Sequence, residues 1–357
     1  MKSKSIFTLV IAIALLASMY LGRHYMGFVD LAPEVVNSRY ANEQSQFIQL
    51  DGLQQGINLH YRDEGLSSVD NPDAPVLILL HGIMASLHTW DGWVEQLGEH
   101  YRIIRLDLPG FGLTGPDPYV KEMTPEYAVD KLQKFVTTLG LRKFYLAGNS
   151  LGGFFSWNYA SKYPHRVKKL ILLDAAGYPQ DVPWIIGLAA LPGFGEIAAK
   201  AMPKFIMDMN VREVFGDQSK VTDELKQRYY DLAMREGNRA AYIEVFRAMK
   251  RYSKMPDLAA PVKDIKVPTL VMWGEKDLWV PVSVLEGFKR DLPDATFIVY
   301  EGAGHTPMEE LPVQTARDAH HFLMNEVRNH SNHTQEEAIQ LYDVKDYTFY
   351  LGGNGAN

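Results

Sequence analysis

The sequence predicts an α/β fold: a mostly parallel central sheet flanked by helices, with a helical cap inserted between two late strands. Three observations carry this reading. Short apolar runs recur along the chain and each stops at Gly, Asp or Pro, the pattern of strands buried on both faces. Helix-like stretches separate them, and strand–helix alternation implies right-handed crossovers. The composition, 46% apolar and 22% charged, excludes a disordered, collagen-like or polytopic membrane chain. At 357 residues the chain has room for about two domains, or for one large domain with an insertion.

The N-terminus reads as a unit of its own. Ser5 to Gly22 is 18 residues without charge or Pro, between Lys4 and Arg23. As a helix it reaches about 27 Å, close to the hydrocarbon thickness of a bilayer. Lys2 and Lys4 precede it, which places the N-terminus in the cytoplasm and the remainder on the periplasmic or extracytoplasmic side. Ala17-Ser18-Met19 is a poor small-x-small cleavage site, and the apolar run continues through Tyr20 and Leu21. An uncleaved single-pass anchor over residues 1–23 is therefore expected rather than a cleaved signal and a secreted product. Residues 24–46 read as a linker.

The core begins near Phe47 and its first part runs to residue 177. Val76–Leu80 (VLILL) ends at His81-Gly82, Arg102–Leu106 (RIIRL) at Asp107, Phe144–Ala147 at Gly148, and Lys169–Leu173 (KLILL) at Asp174. Pro125–Leu139 and Phe154–Tyr163 are the intervening helices. From Tyr178 to Pro261 no strand run appears, and Trp184–Leu191 and Ala198–Met209 are apolar and helical. About eighty residues are too many for a connector, so 178–261 is expected to be a cap or lid. Thr269–Trp273 and Thr296–Tyr300 complete the core over 262–328. The tail, 329–357, is polar; its Asn329-His330-Ser331 and Asn332-His333-Thr334 match the glycosylation pattern, a weak signal.

Charge and cysteine narrow the chemistry. Lys and Arg number 36 against 43 Asp and Glu, a formal charge of −7. Without a basic block there is no electrostatic reason to expect nucleic acid as a partner. Cysteine is absent, which removes thiolate nucleophiles, disulfides and Cys-based metal sites.

Gly148-Asn149-Ser150-Leu151-Gly152 fits G-x-S-x-G, with a strand before it and a helix after it. A serine on so sharp a turn has strained backbone angles and needs small neighbours, which Gly148 and Gly152 provide. Ser150 is thus the candidate nucleophile, and it needs a neutral imidazole to take its proton. Of eleven histidines, His305 is best placed, in a glycine-rich loop after the last strand. His81 is its rival, although His-Gly at that position more often shapes an oxyanion loop. The base needs a carboxylate to hold its tautomer. Asp277, in the loop after TLVMW, is preferred to Glu275 in the same loop and to Asp174 at the end of KLILL. The oxyanion of a tetrahedral intermediate needs two backbone N–H groups. Leu151 should supply one, and Ile83 the other, with Met84 as the alternative.

HGIMAS, DLPGFGLTGP, GNSLGG, LLDAAG, WGEKD and GAGHTPMEE, spread over Leu77 to Leu323, occur in the order of the α/β-hydrolase superfamily, which the chain resembles. Within it the chain is similar to bacterial membrane-anchored lipases and esterases and to the monoacylglycerol-lipase-like group. The resemblance implies an α/β-hydrolase fold and hydrolysis of a carboxylic ester through an acyl-serine, with no cofactor and no metal. The expected substrate is an acyl ester or lipid with an apolar chain, such as a monoacylglycerol. Other readings are a cofactor-free haloperoxidase, a carbon–carbon bond hydrolase, or a non-catalytic membrane receptor of the same fold. Epoxide hydrolases and dehalogenases carry Asp where Ser150 stands. Carbon–carbon hydrolases usually show Trp where Thr306 follows His305.

Overall fold

Alternation of side chains along each strand decides which face it buries, and here both faces are apolar. The computed structural model describes residues 22–50, 56–66, 73–117 and 124–325, with a few isolated positions besides. Among these residues eight strands form one sheet in the order β1-β2-β4-β3-β5-β6-β7-β8. They are β1 (Ser45–Gln49), β2 (Asn58–Gly65), β3 (Val76–Leu80), β4 (Arg102–Leu106), β5 (Phe144–Asn149), β6 (Val167–Leu173), β7 (Thr269–Gly274) and β8 (Thr296–Tyr300). Leu77, Leu79, Ile103, Ala147, Ile171, Leu173, Leu270 and Met272 share one buried cluster. Their neighbours Ile78, Leu80, Ile104, Leu146, Leu170, Leu172 and Val271 belong to another, as a period of two requires.

Helices cover both faces. On the first, Trp93 of the helix Asp91–Leu97 donates from Nε1 to Thr315 Oγ1 of the helix Pro312–Met324, at 2.9 Å. On the second lie the helices Pro125–Thr138 and Leu151–Lys162, whose Phe135, Trp157 and Tyr159 are fully buried. Burial of each such ring is worth about 1.5–3 kcal/mol. The six strands from β4 to β8 in the sheet order pair in parallel, as the apolar runs imply. Parallel pairing brings their carboxyl ends to one rim: Leu80 lies beside Gly148, Asn149 beside Leu173, and Leu173 beside Met272. His81, Ser150, Asp174, Asp277 and His305 all follow strands that end there.

Two strands escape the sequence pattern. β1 and β2 form an antiparallel pair at the sheet's edge, and β2 runs antiparallel to β4. In β2, NLHYRDEG, polar residues are buried because they find partners: His60 meets Asp107, and Arg62 meets the Tyr40 carbonyl. The expected linker over 24–46 is likewise built structure. It contains α1 (Pro33–Tyr40) and the first residues of β1, and it lies across the helical insertion. Leu31 N–H donates to Met234 O and its carbonyl accepts from Glu236 N–H; Tyr230 Oη donates to His24 O; buried Arg239 binds Gly27 O and Asp30.

Between β6 and β7 the described chain holds no strand. It forms the helices Trp184–Ala189, Phe194–Ala198, Lys204–Glu213, Asp223–Ala233 and Asn238–Tyr252. The segment Ser5–Gly22 lies almost wholly outside the described residues, as does the tail with its two glycosylation patterns. Among the described residues no helix is long and apolar enough to cross a membrane.

Candidate active site

The turn after β5 is built around strain. Ser150 has φ 53° and ψ −114°, a region that side-chain-bearing residues rarely occupy. The turn closes because its neighbours are glycines: a Cβ on Gly148 would lie 2.3 Å from Gly152 O, and one on Gly152 would lie 2.3 Å from Leu80 O. Ser150 N–H donates to Leu173 O at 2.9 Å, which pins the elbow to β6.

His305 and Asp277 form a buried pair. His305 Nδ1 donates to Asp277 Oδ2 at 2.7 Å. Asp277 Oδ1 accepts from the N–H groups of Trp279 and Val280 at 2.7 and 2.9 Å. The carboxylate is held by three donors, and Nδ1 is the protonated nitrogen of the ring. His305 Nε2 is buried without a hydrogen-bond partner, so the Ser150 hydroxyl is not bonded to it in this conformation. Such contacts often tighten only with substrate. Asn149, the residue before the serine, donates from Nδ2 to His305 O at 3.0 Å and so ties the elbow to the imidazole loop.

The rival candidates have other work. His81 spends both ring nitrogens internally: Nδ1 donates to Gly82 O at 2.7 Å and Nε2 accepts from Leu108 N–H at 2.9 Å. Burial holds its protonation below the ordinary histidine range. Glu275 is exposed and accepts from Gly302 N–H. Asp174 lies beside the pair: Oδ1 accepts from Gly274 N–H at 2.8 Å, and its carboxyl is pushed well above 3.8 by burial and then by the Asp277 charge. Asp174 therefore holds its proton to higher pH than an ordinary carboxyl does. Ligand atoms of Asp174, Asp277 and His305 lie within 4.8 Å of one another. Four of their six ligand atoms are engaged by the His305–Asp277 bond and the amide donors, and Asp174 Oδ2 and His305 Nε2 have no hydrogen-bond partner.

The loop after β3 closes the site from the other side. A Cβ on Gly82 would come within 3.1 Å of Ser150 Cβ, and Met84 holds φ 57°. The N–H groups of Ile83, Met84 and Leu151 donate to no backbone carbonyl among the described residues. Leu151 opens the helix Leu151–Lys162, where N–H groups have no intrahelical acceptor. Buried Asp107 props this loop, accepting from Leu87 N–H, Leu113 N–H and His60 Nδ1.

A narrow cavity of about 30 Å³ opens at His305. Gly82 to Ala85, Asn149, Trp279 and Thr306 line it from the core; Met207, Asn210, Val211, Val214 and Tyr229 line it from the insertion. Sequence reasoning did not single out Asn210, Trp279 or Glu310, and weighed Thr306 only against the carbon–carbon hydrolases. Glu310 is buried and accepts from Gly216 and Asp217 N–H of the insertion and from Gly304 N–H beside the imidazole. Only the repeat of carboxylates in His305-Thr306-Pro307-Met308-Glu309-Glu310 hinted at it.

A parallel sheet with a strained serine elbow and a buried imidazole–carboxylate pair at one rim defines a hydrolase architecture. The chain belongs to the α/β-hydrolase family: residues 75–312 match the family described as alpha/beta hydrolase fold. It is 27% identical over 272 residues to the human monoacylglycerol lipase ABHD6, covering 72% of this chain and 77% of that protein. It is 28% identical over 280 residues to a 2-hydroxy-6-oxononadienedioate/2-hydroxy-6-oxononatrienedioate hydrolase of Paraburkholderia phymatum, covering 76% and 90%. Among solved structures it is similar to a membrane phospholipase A described as a bacterial virulence factor. That likeness has TM-score 0.63 and 26% identity, over 90% of this chain and 98% of the other.

Proposed function

We propose that this protein is a serine hydrolase of carboxylic esters with an apolar acyl chain. The observation that carries the reading is the His305–Asp277 bond of 2.7 Å with Nε2 left unpaired at the cavity. In this mechanism Ser150 Oγ attacks the ester carbonyl while its proton passes to Nε2 of His305. Asp277 stabilises the imidazolium, and the N–H groups of Leu151 and Ile83 meet the oxyanion. The intermediate collapses by releasing the alcohol, which takes the proton from Nε2, and leaves an acyl-serine. Water attacks that ester by the same route and restores Ser150.

Met84, Met207, Val211 and Val214 give the cavity an apolar wall, which favours an alkyl chain over a charged one. At about 30 Å³ the cavity has room for one or two waters, so a long chain requires the insertion to give way. The segment Ser5–Gly22 serves in this reading as a single-pass anchor that holds the domain beside its lipid substrates on the extracytoplasmic side.

The second reading is a carbon–carbon bond hydrolase, favoured by the relative from Paraburkholderia phymatum. Its substrate name denotes a dicarboxylate, and no Lys or Arg is among the described residues lining this cavity, so the ester reading is preferred. A fluorophosphonate probe should label the wild type and leave the folded Ser150→Ala variant unlabelled. A folded wild type that resists the probe would overturn the proposal.

A further inference from the structure

The helix Lys204–Glu213 turns Met207, Asn210 and Val211 toward the cavity, and Val214 follows one turn later. An amphipathic stripe of this spacing normally carries only apolar residues where it is buried. Asn210 breaks it: the residue is 5% exposed, yet its Oδ1 is buried without a hydrogen-bond partner. Two further walls show the same anomaly. Thr306 precedes the short helix Pro307–Glu310 but its hydroxyl caps nothing, and Oγ1 is buried and unpaired. Trp279 stacks on His305, with ring centroids 6.0 Å apart and planes at 29°. Its Nε1–H has no acceptor, as at Trp90 outside the cavity, whereas those of Trp93, Trp157 and Trp273 each find one.

Buried polar atoms are almost always satisfied, and exceptions call for an explanation. Here three of them belong to residues that line one cavity beside the imidazole. Resting on the ester-hydrolase reading, and naming the group its substrate must carry, we propose that Asn210, Thr306 and Trp279 form a subsite for a free hydroxyl. The match is one of donors and acceptors. Asn210 Oδ1 accepts, Trp279 Nε1 donates, and Thr306 Oγ1 does either; a hydroxyl also gives one hydrogen and takes another. A carboxylate can only accept, and the described lining offers no cation to pair with it. An alkyl group would leave all three atoms unpaired.

The test uses pairs of esters that differ by exchange of a hydroxyl for a methyl. 2-Hydroxyethyl butyrate against propyl butyrate reads a hydroxyl on the alcohol side; methyl 4-hydroxybutyrate against methyl pentanoate reads one on the acyl side. In the wild type at least one hydroxylated partner should be preferred tenfold or more in kcat/KM, about 1.4 kcal/mol. Asn210→Leu and Thr306→Val should each bring that ratio toward one, whatever common factor they cost, with melting temperature confirming the fold. Ratios within threefold for both pairs in the wild type, or a tenfold ratio that survives both substitutions, overturn the subsite. Failure of the ester reading looks different: no turnover and no fluorophosphonate labelling. In that event thermal-shift titration of 2-propoxyethanol against dipropyl ether decides the same question without chemistry. Tenfold tighter binding of the alcohol, lost in Asn210→Leu, supports the subsite, and equal binding overturns it.

Discussion

At Asp277 a single carboxylate does two jobs, and they separate by substitution. Oδ2 accepts from His305 and Oδ1 from two backbone amides. Asp277→Asn keeps the shape but presents an amide to the imidazole and favours the wrong tautomer. A loss of about 10⁴ in kcat with intact fold is expected, read by ester hydrolysis against melting temperature; a loss under tenfold would assign the orienting role elsewhere. Next to it, burial and then the neighbouring Asp277 carboxylate raise the Asp174 carboxyl well above its ordinary value. Its carboxyl takes up a proton at higher pH in the folded chain than in the unfolded one. Stability contributed in this way is whole below the ordinary value and declines as pH rises toward the raised one. Asp174→Asn, which can still accept from Gly274 N–H, abolishes that titration. The melting temperature of the variant relative to wild type should therefore climb from about pH 4 upward; a difference that does not change with pH would show that Asp174 is charged.

At the scale of elements, the elbow and its histidine loop were legible and the contacts around them were not. Gly148 and Gly152 announce a tight turn because only hydrogen fits where a Cβ would strike backbone. His305 and Asp277 stand after strands in glycine-bearing loops, a placement visible in one dimension. The edge pair β1 and β2 was hidden because burial there is polar: His60 pairs with Asp107 across 47 residues and Arg62 with the Tyr40 carbonyl across 22, and periodicity does not record pairing. Glu310 was hidden for the same reason. It joins the insertion to the imidazole loop through three amides, and His305 N–H donates to Val214 O at 2.8 Å. This corner of the insertion is therefore fixed to the core. Glu310→Ala leaves three buried donors without an acceptor and should cost about 3 kcal/mol or more. In a domain of this size that is a fall of roughly 6–12 °C in melting temperature, partly recovered by Glu310→Gln. A shift of a degree would show that the clasp contributes little.

Across the whole molecule, the stretch before β1 matters because it spans from the apolar N-terminal segment to the insertion. Arg239 is buried and grips Gly27 O and Asp30, with Leu31 bridging to Arg235. The stretch around Gly27 to Leu31 is thus held on the insertion by backbone and side-chain bonds. Arg239→Ala leaves Gly27 O without its charged donor, at a cost of about 1.5–3 kcal/mol. Limited proteolysis should then cut within residues 23–40 earlier than in wild type, before the sheet is touched; unchanged cleavage would mean the strap is held by its other bonds alone.

What the chain alone determined is the set of local decisions: which runs are strands buried on both faces, where a serine must sit on a strained turn, and that about eighty residues interrupt the strand–helix alternation. These follow from apolar period, glycine sterics and turn chemistry, which act over a few residues. Tertiary structure decided the rest. It chose which carboxylate meets His305, gave the segment 24–46 a seat on the insertion, and brought Asn210 from the insertion beside Thr306 and Trp279 from the core. Those choices depend on partners far apart in sequence, and a polar atom's meaning in a protein is set by what stands opposite it once water has been removed.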